Sequence, residues 1–235
     1  QLPPIFAVIL LIGACSVAYF PVLGAGYVWD DDNYVTANFT LRSLDGLRDI
    51  WLKPDATPQY YPLVHSTFWL EYQLWELNPT GYHVTNVMLH LFNAVLLLHV
   101  LRRLNVPCAF VCSLIFAIHP VHVESVAWIT ERKNVLSGFF YLASMVAFLR
   151  FAGGSEIPQS ASRRDAAFYV LGFVLFLMAL LSKTVAVTLP VALLFGLYRR
   201  ADRVRQRDVL TVLPLLLIGL PFGLMTVHLE RTHVG

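Results

Sequence analysis

Trp29-Asp30-Asp31-Asp32-Asn33-Tyr34 sets three carboxylates side by side directly after an apolar run. Adjacent carboxylates repel. Beside a bilayer they are costly unless a cation, a hydrogen bond or a proton in transfer makes use of them. A solvated helix end accounts for them equally well. A second group of reactive types follows at His119-Pro120-Val121-His122-Val123-Glu124, with Glu131-Arg132-Lys133-Asn134 close behind. His119, His122 and Glu124 are of metal-ligand type at loose spacing. Arg132 and Lys133 are two adjacent cations at a helix end, suited to a phosphate. The plain alternative is a basic pair flanking a membrane and touching any lipid headgroup.

Lys183 stands in Ser182-Lys183-Thr184 between two apolar runs. With little loop to solvate it, it either snorkels or faces an anion. His65, in the first polar loop, is grouped with the candidate site, as is Asp32. His90 and His99 share an apolar helix with Asn86 and Asn93, a composition that suits hydrogen bonding between helices. Asn38-Phe39-Thr40 is a glycosylation sequon. Cys108 and Cys112 fall four apart on an expected helix, a packing pair rather than a metal pair, and no disulfide framework is indicated. The sequence has no nucleotide-phosphate loop, zinc-finger spacing or nucleophile elbow, and a net charge of +2 is too small to argue for nucleic acid.

Only 14% of the residues are charged and 57% are hydrophobic, too little charge to cover a soluble domain of this size. Lipid must cover the rest, so the chain reads as an all-α polytopic membrane protein. A bilayer core takes about 20 apolar residues of helix. Candidate spans are Pro3–Leu23, His83–Leu101, Val106–Ile118, Asn134–Phe151, Ala166–Ser182, Thr184–Tyr198 and Val209–Leu229, about seven, of which the third is short enough to be re-entrant. With a cytoplasmic N-terminus, Arg102, Arg103, Arg150, Arg163, Arg164, Arg199, Arg200, Arg203, Arg205 and Arg207 all fall on one side, as the positive-inside rule requires. The acids gather on the other side, in a first outer loop over 24–82 and a second over 119–133. Within the first, the apolar spacing of Leu41–Trp51 and the aromatic run Tyr60–Leu77 predict helices lying in the headgroup plane. Residues 153–164 read as a polar cytoplasmic loop. A start at Gln1 and an end just past the last apolar run suggest part of a longer protein.

Tyr27-Val28-Trp29-Asp30-Asp31, Tyr60-Tyr61-Pro62-Leu63, Tyr82-His83-Val84-Thr85-Asn86-Val87-Met88-Leu89-His90, the block Phe116 to Trp128 with Glu131-Arg132-Lys133-Asn134, and Leu180-Leu181-Ser182-Lys183-Thr184 together resemble one family. It is the transmembrane and tetratricopeptide-repeat O-mannosyltransferase-like proteins, within the GT-C membrane glycosyltransferases. The resemblance implies a GT-C type bundle over 1–235 without the tetratricopeptide repeats that usually follow. It implies transfer of a sugar, mannose or another hexose, from a polyprenyl or dolichyl phosphate carrier to a protein Ser/Thr hydroxyl. The partners are then a lipid-linked sugar donor, a protein acceptor and membrane lipid. The membrane is a bacterial inner membrane or the endoplasmic reticulum, with the site on the periplasmic or lumenal side. The family's base follows the first helix, where Asp30 matches best with Asp31 beside it.

Such a reaction needs a base to activate the acceptor, worth roughly 10²–10⁴ in rate. It also needs positive charge on the departing phosphate, for which Arg132, Lys133 and Lys183 are candidates. A divalent metal, Mg or Mn, bridging Asp31 and Glu124 to that phosphate would serve the same end. A transporter would instead carry charges near mid-membrane, and a non-catalytic scaffold would tolerate replacement of both clusters.

The layout is tested by labelling. Asp55→Cys should react with an impermeant thiol reagent from the outer side and Ser160→Cys only from the cytoplasm; reaction of both from one side would overturn it.

Overall fold

The computed structural model describes residues 2–152 and 163–233, and side chains as far as residue 226. The polar loop expected over 153–164 lies outside the described residues except for Arg163 and Arg164, which open a helix; Ser160 is outside them too. Ten α-helices are described: α1 Pro4–Tyr19, α2 Leu44–Leu52, α3 Pro62–Trp75, α4 Pro79–Arg103, α5 Ala109–Ile118, α6 His122–Ala127, α7 Arg132–Phe151, α8 Arg163–Ser182, α9 Leu189–Ala201 and α10 Gln206–His233. No strand occurs among the described residues.

Among the described residues six helical segments are long and apolar enough to cross a membrane: Pro4–Gly24, Pro79–Arg103, Ile129–Phe151, Arg163–Ser182, Thr184–Ala201 and Gln206–Thr226. The chain is an integral membrane protein. The third expected span is the shortfall. Asn105 and Cys108 adopt left-handed backbone on either side of Val106-Pro107, so α5 begins only at Ala109. Ten residues rise about 15 Å, half of a roughly 30 Å hydrocarbon core. Cys108 therefore precedes α5 instead of sharing a helix with Cys112, and both thiols are free and exposed rather than packed.

The chain divides into two compact units, one of residues 1–95 and 110–136, the other of 96–109 and 137–235. In the first, α1 buries a single stripe, Ala7, Leu11, Cys15 and Tyr19. This i+4 spacing covers one narrow face and leaves Ile5, Phe6, Ile9 and Val17 exposed for lipid. Tyr19 meets His90 of α4 edge-on at 5.3 Å, and the His90 Nε2 lies 3.0 Å from the Ala117 carbonyl. Asn86 and Asn93 donate to the carbonyls of Trp128 (3.2 Å) and Val135 (2.8 Å). These amides tie α4 to the start of α7.

The helices between α1 and α4 form as the apolar spacing predicts. Ser43 caps α2 by accepting from the Gly46 N–H, and Pro62 opens α3 at a position where its missing N–H costs nothing. Trp51 Nε1 donates to Ser66 Oγ at 2.9 Å, Trp69 Nε1 to the Ser43 carbonyl at 2.8 Å and Gln73 to the Leu41 carbonyl at 2.9 Å. The sequon is absorbed here. Asn38 is buried, its amide donates to the Tyr34 carbonyl, and its Oδ1 accepts from both the N–H and hydroxyl of Thr40. It is a turn residue whose side chain is engaged in the fold.

In the second unit, Phe148, Leu149, Phe176, Leu180, Leu189 and Leu193 are among the buried residues of one apolar core. Ser144 Oγ donates to the Gly172 carbonyl at 2.6 Å.

Gly46 has a definite reason. A Cβ there would collide with the Thr40 backbone, while one at Gly13 meets nothing. Gly46→Ala should cost about 1–3 kcal/mol, read as a lower thermal midpoint in detergent. Gly13→Ala should not lower it.

Candidate active site

The acidic run is not a row of equivalent carboxylates. Trp29 holds φ of 50°, a strained choice for a bulky residue and one that clusters at functional turns. The turn closes on itself: the Asp31 N–H donates to the Val28 carbonyl at 3.0 Å, and the Val28 N–H to Asp31 Oδ2 at 2.9 Å. Asp31 Oδ1 accepts a third bond, 3.0 Å, from the Thr130 N–H. Asp31 is fully buried. Burial raises its pKa, and the two backbone N–H groups pull it back down. Asp32 is exposed and spends Oδ1 on the Thr36 hydroxyl at 2.8 Å, opening a π-helical turn over Asp32–Thr36. Asp30 is exposed, and its carboxylate takes no hydrogen bond among the described residues. Of the three, only Asp30 is both exposed and without a hydrogen-bond partner to its carboxylate among the described residues.

The Thr130 N–H is held in place by Arg132. The Arg132 guanidinium is fully buried. Its Nε donates to Asn86 Oδ1 at 2.7 Å and its Nη2 to the Tyr82 carbonyl at 2.8 Å; its Nη1 pairs with the Glu71 carboxylate. The Phe68 ring lies 4.7 Å from the guanidinium carbon. Glu71 and Phe68 come from α3, Asn86 and Tyr82 from α4. The sequence assigns Arg132 to a phosphate; the structure corrects that, because every nitrogen already has a protein partner and none reaches solvent.

Lys133 points the other way. It is partly exposed, pairs with Glu131 at 2.9 Å and contacts Gln59 Oε1 at 3.3 Å. Tyr34 donates its hydroxyl to the same Gln59 oxygen at 2.8 Å, and Lys133 Nζ lies 5.7 Å from the Tyr34 ring centre. His65 stacks on Tyr34 at 5.2 Å and 19°. It is fully buried, and burial with the nearby Lys133 charge lowers its pKa to about 3, so the ring is neutral. It shapes the floor under Tyr34.

His119 is exposed and accepts at Nδ1 from the Val121 N–H at 3.2 Å; His122 packs on Phe116 at 4.4 Å and His90 at 5.4 Å. Glu124 is exposed on α6. Among the described residues no three His, Cys, Asp or Glu side chains are arranged to hold a metal ion, so the suggested set His119, His122 and Glu124 does not assemble as one. Lys183, partly buried, belongs to the other unit, before the turn Thr184–Thr188.

Sequence reasoning missed Glu71, Asn86, Thr130 and Gln59 as site-builders. One signal was available. Glu71 is the only acid in the apolar, aromatic α3, and a lone carboxylate in such a helix demands a cation.

No protein-family model and no solved structure matches the chain. Curated relatives do. The chain is 30% identical over 220 residues to human protein O-mannosyl-transferase TMTC1, covering 86% of this chain and 25% of that protein. It is 32% identical over 223 residues to the Drosophila melanogaster protein O-mannosyl-transferase Tmtc2, covering 85% and 23%. It is 32% identical over 177 residues to Drosophila Tmtc3, covering 62% and 19%. The chain thus spans about a fifth to a quarter of these relatives' length. At that similarity over most of its residues, the chain belongs to the TMTC-like family and corresponds to its membrane part.

Proposed function

We propose that this chain is the catalytic membrane part of a glycosyltransferase. It moves mannose or another hexose from a polyprenyl or dolichyl phosphate to a protein Ser/Thr hydroxyl on the periplasmic or lumenal side. The relatives' name, protein O-mannosyl-transferase, supports the reaction class. The single observation that carries the site is the division of labour among the acids: Asp30 exposed, Asp31 buried and tied to the segment that bears Lys133.

In this reading Asp30 accepts the proton of the acceptor hydroxyl as that oxygen bonds to the anomeric carbon. The carbon–oxygen bond to the carrier phosphate breaks, and its electron pair leaves with the phosphate. Lys133 faces the developing charge, where a preorganised cation is worth most. Asp31 is a positioning residue. It accepts no substrate proton but fixes the turn from which Asp30 projects. Lys183 is a further candidate for the phosphate, to be tested by itself. A divalent ion bound with the donor phosphate would add neutralising charge at an outer carboxylate.

In the complete gene product, assayed with one lipid-phosphate sugar and one peptide acceptor, Asp30→Asn should lower kcat by at least about a hundredfold with donor binding intact. Asp32→Asn should cost much less. Full activity in Asp30→Asn, Asp31→Asn and Asp32→Asn would remove this loop from the chemistry and favour a scaffold.

The two cations should separate cleanly. Lys133→Ala should raise the KM for donor about tenfold or more, the worth of a lost charged hydrogen bond, with normal yield of folded protein. Arg132→Ala should instead depress folded yield, since it leaves Glu71 buried without its cation, at about 3–5 kcal/mol. A well-folded Arg132→Ala with only a raised donor KM would return Arg132 to the phosphate.

A further inference from the structure

The second unit gathers unneutralised positive charge at one end. Arg103 closes α4, Arg150 lies in the last turn of α7 and Arg200 in the last turn of α9. All three helices belong to segments long and apolar enough to cross a bilayer, so these side chains sit at headgroup level. They converge. Arg200 Nη1 donates to the Leu149 carbonyl, next to Arg150, at 3.2 Å. Arg103 lies within electrostatic reach of both Arg150 and Arg200. A fourth arginine, Arg207 of α10, donates to the Ala152 carbonyl at the same helix end, 3.2 Å.

The partners of the three are neutral. Arg103 Nε donates to His99 Nε2 at 2.8 Å, Arg150 lies over the Phe168 ring at 5.5 Å, and Arg200 holds a main-chain carbonyl. No carboxylate pairs with any of them among the described residues. A helix C-terminus attracts one cation to its own carbonyls. Neither this nor the positive-inside rule, which gathers arginines on one side of a membrane, requires arginines from three helices to approach one another, where like charges repel. An anion among them does.

We propose that Arg103, Arg150 and Arg200 form a binding site for a phosphate group, that of an anionic phospholipid headgroup. Guanidinium forks match phosphate oxygens two at a time, and basic pockets between spanning helices are where such headgroups settle. The site is independent of the proposed catalysis: it uses none of those residues.

The test is native mass spectrometry of the chain released from vesicles of phosphatidylcholine containing a minor share of phosphatidylglycerol. The wild type should carry bound phosphatidylglycerol. The triple variant Arg103→Gln, Arg150→Gln, Arg200→Gln should carry about tenfold less, as expected for lost charged hydrogen bonds. A control triple, Arg163→Gln, Arg199→Gln, Arg203→Gln, removes equal charge from exposed neighbours and should retain the lipid. Equal loss in both would mean diffuse attraction and overturn the site. If the triple does not fold, Arg150→Gln alone, whose side chain holds no backbone, is read the same way. A second arm compares thermal midpoints in detergent. Phosphatidylglycerol should raise the wild type's and leave the variant's unmoved. A rise as large with sodium phosphate alone would assign the site to free phosphate and overturn the lipid.

Discussion

Arg132 and Glu71, both buried, are the pair on which the first unit is organised. Neither charge could be taken out of water alone; together, and with Asn86, Tyr82 and Phe68 around them, both are satisfied. The pair fixes α3 to the start of α7, and Asn86 fixes both to α4. Here an ion pair with its hydrogen bonds adds to the apolar packing of Val35, Leu41, Ile50, Val64 and Phe68, close to the contacts that Asp31 makes with Thr130 and Lys133 with Gln59.

The consequence reaches Asp31 by way of Thr130, from which it is 99 residues away in sequence. Thr130 precedes Arg132 by two positions, so anchoring one presents the N–H of the other to Asp31. Asp31 is thereby held from both loops, through Thr130 and Val28. The strained Trp29 between them is stabilised by its edge-on contact with Trp128 at 4.8 Å, a residue from that same second loop. Asp30 needs no partner of its own to be fixed in space. Its backbone is set by its neighbours and its carboxylate is left free, an arrangement suited to a group that must exchange a proton.

Much of this was legible in the sequence, for physical reasons. Spans announce themselves because charge is excluded from lipid, and the helices in the loop after α1 follow from the spacing of Leu41, Leu47 and Ile50 and the aromatics of α3. The short α5 was visible as a short apolar run. The candidate acids and the basic pair were visible as types. What the sequence did not disclose is which member of each pair is buried. Asp30 and Asp31 are chemically identical neighbours, as nearly are Arg132 and Lys133, and consecutive residues on a turn or helix start face different ways. Only the fold tells that Arg132 is spent on Glu71 while Lys133 keeps a partly exposed ammonium beside Glu131 and Gln59. Asn38 is a further case: the pattern is visible in the sequence, but that its side chain is engaged with Tyr34 and Thr40 is visible only in the fold.

The claim at the centre is that a carboxylate at position 30, and not at 31, exchanges the proton. Chemical rescue asks this directly. Asp30→Gly opens a gap where a small carboxylate can stand in for the lost base, so added formate should restore turnover in that variant by about tenfold or more over its residual rate. Formate should do nothing for Asp31→Gly, where the lost function is a tether between two loops. Rescue of Asp31→Gly with none for Asp30→Gly would contradict the account and place the base on the buried residue.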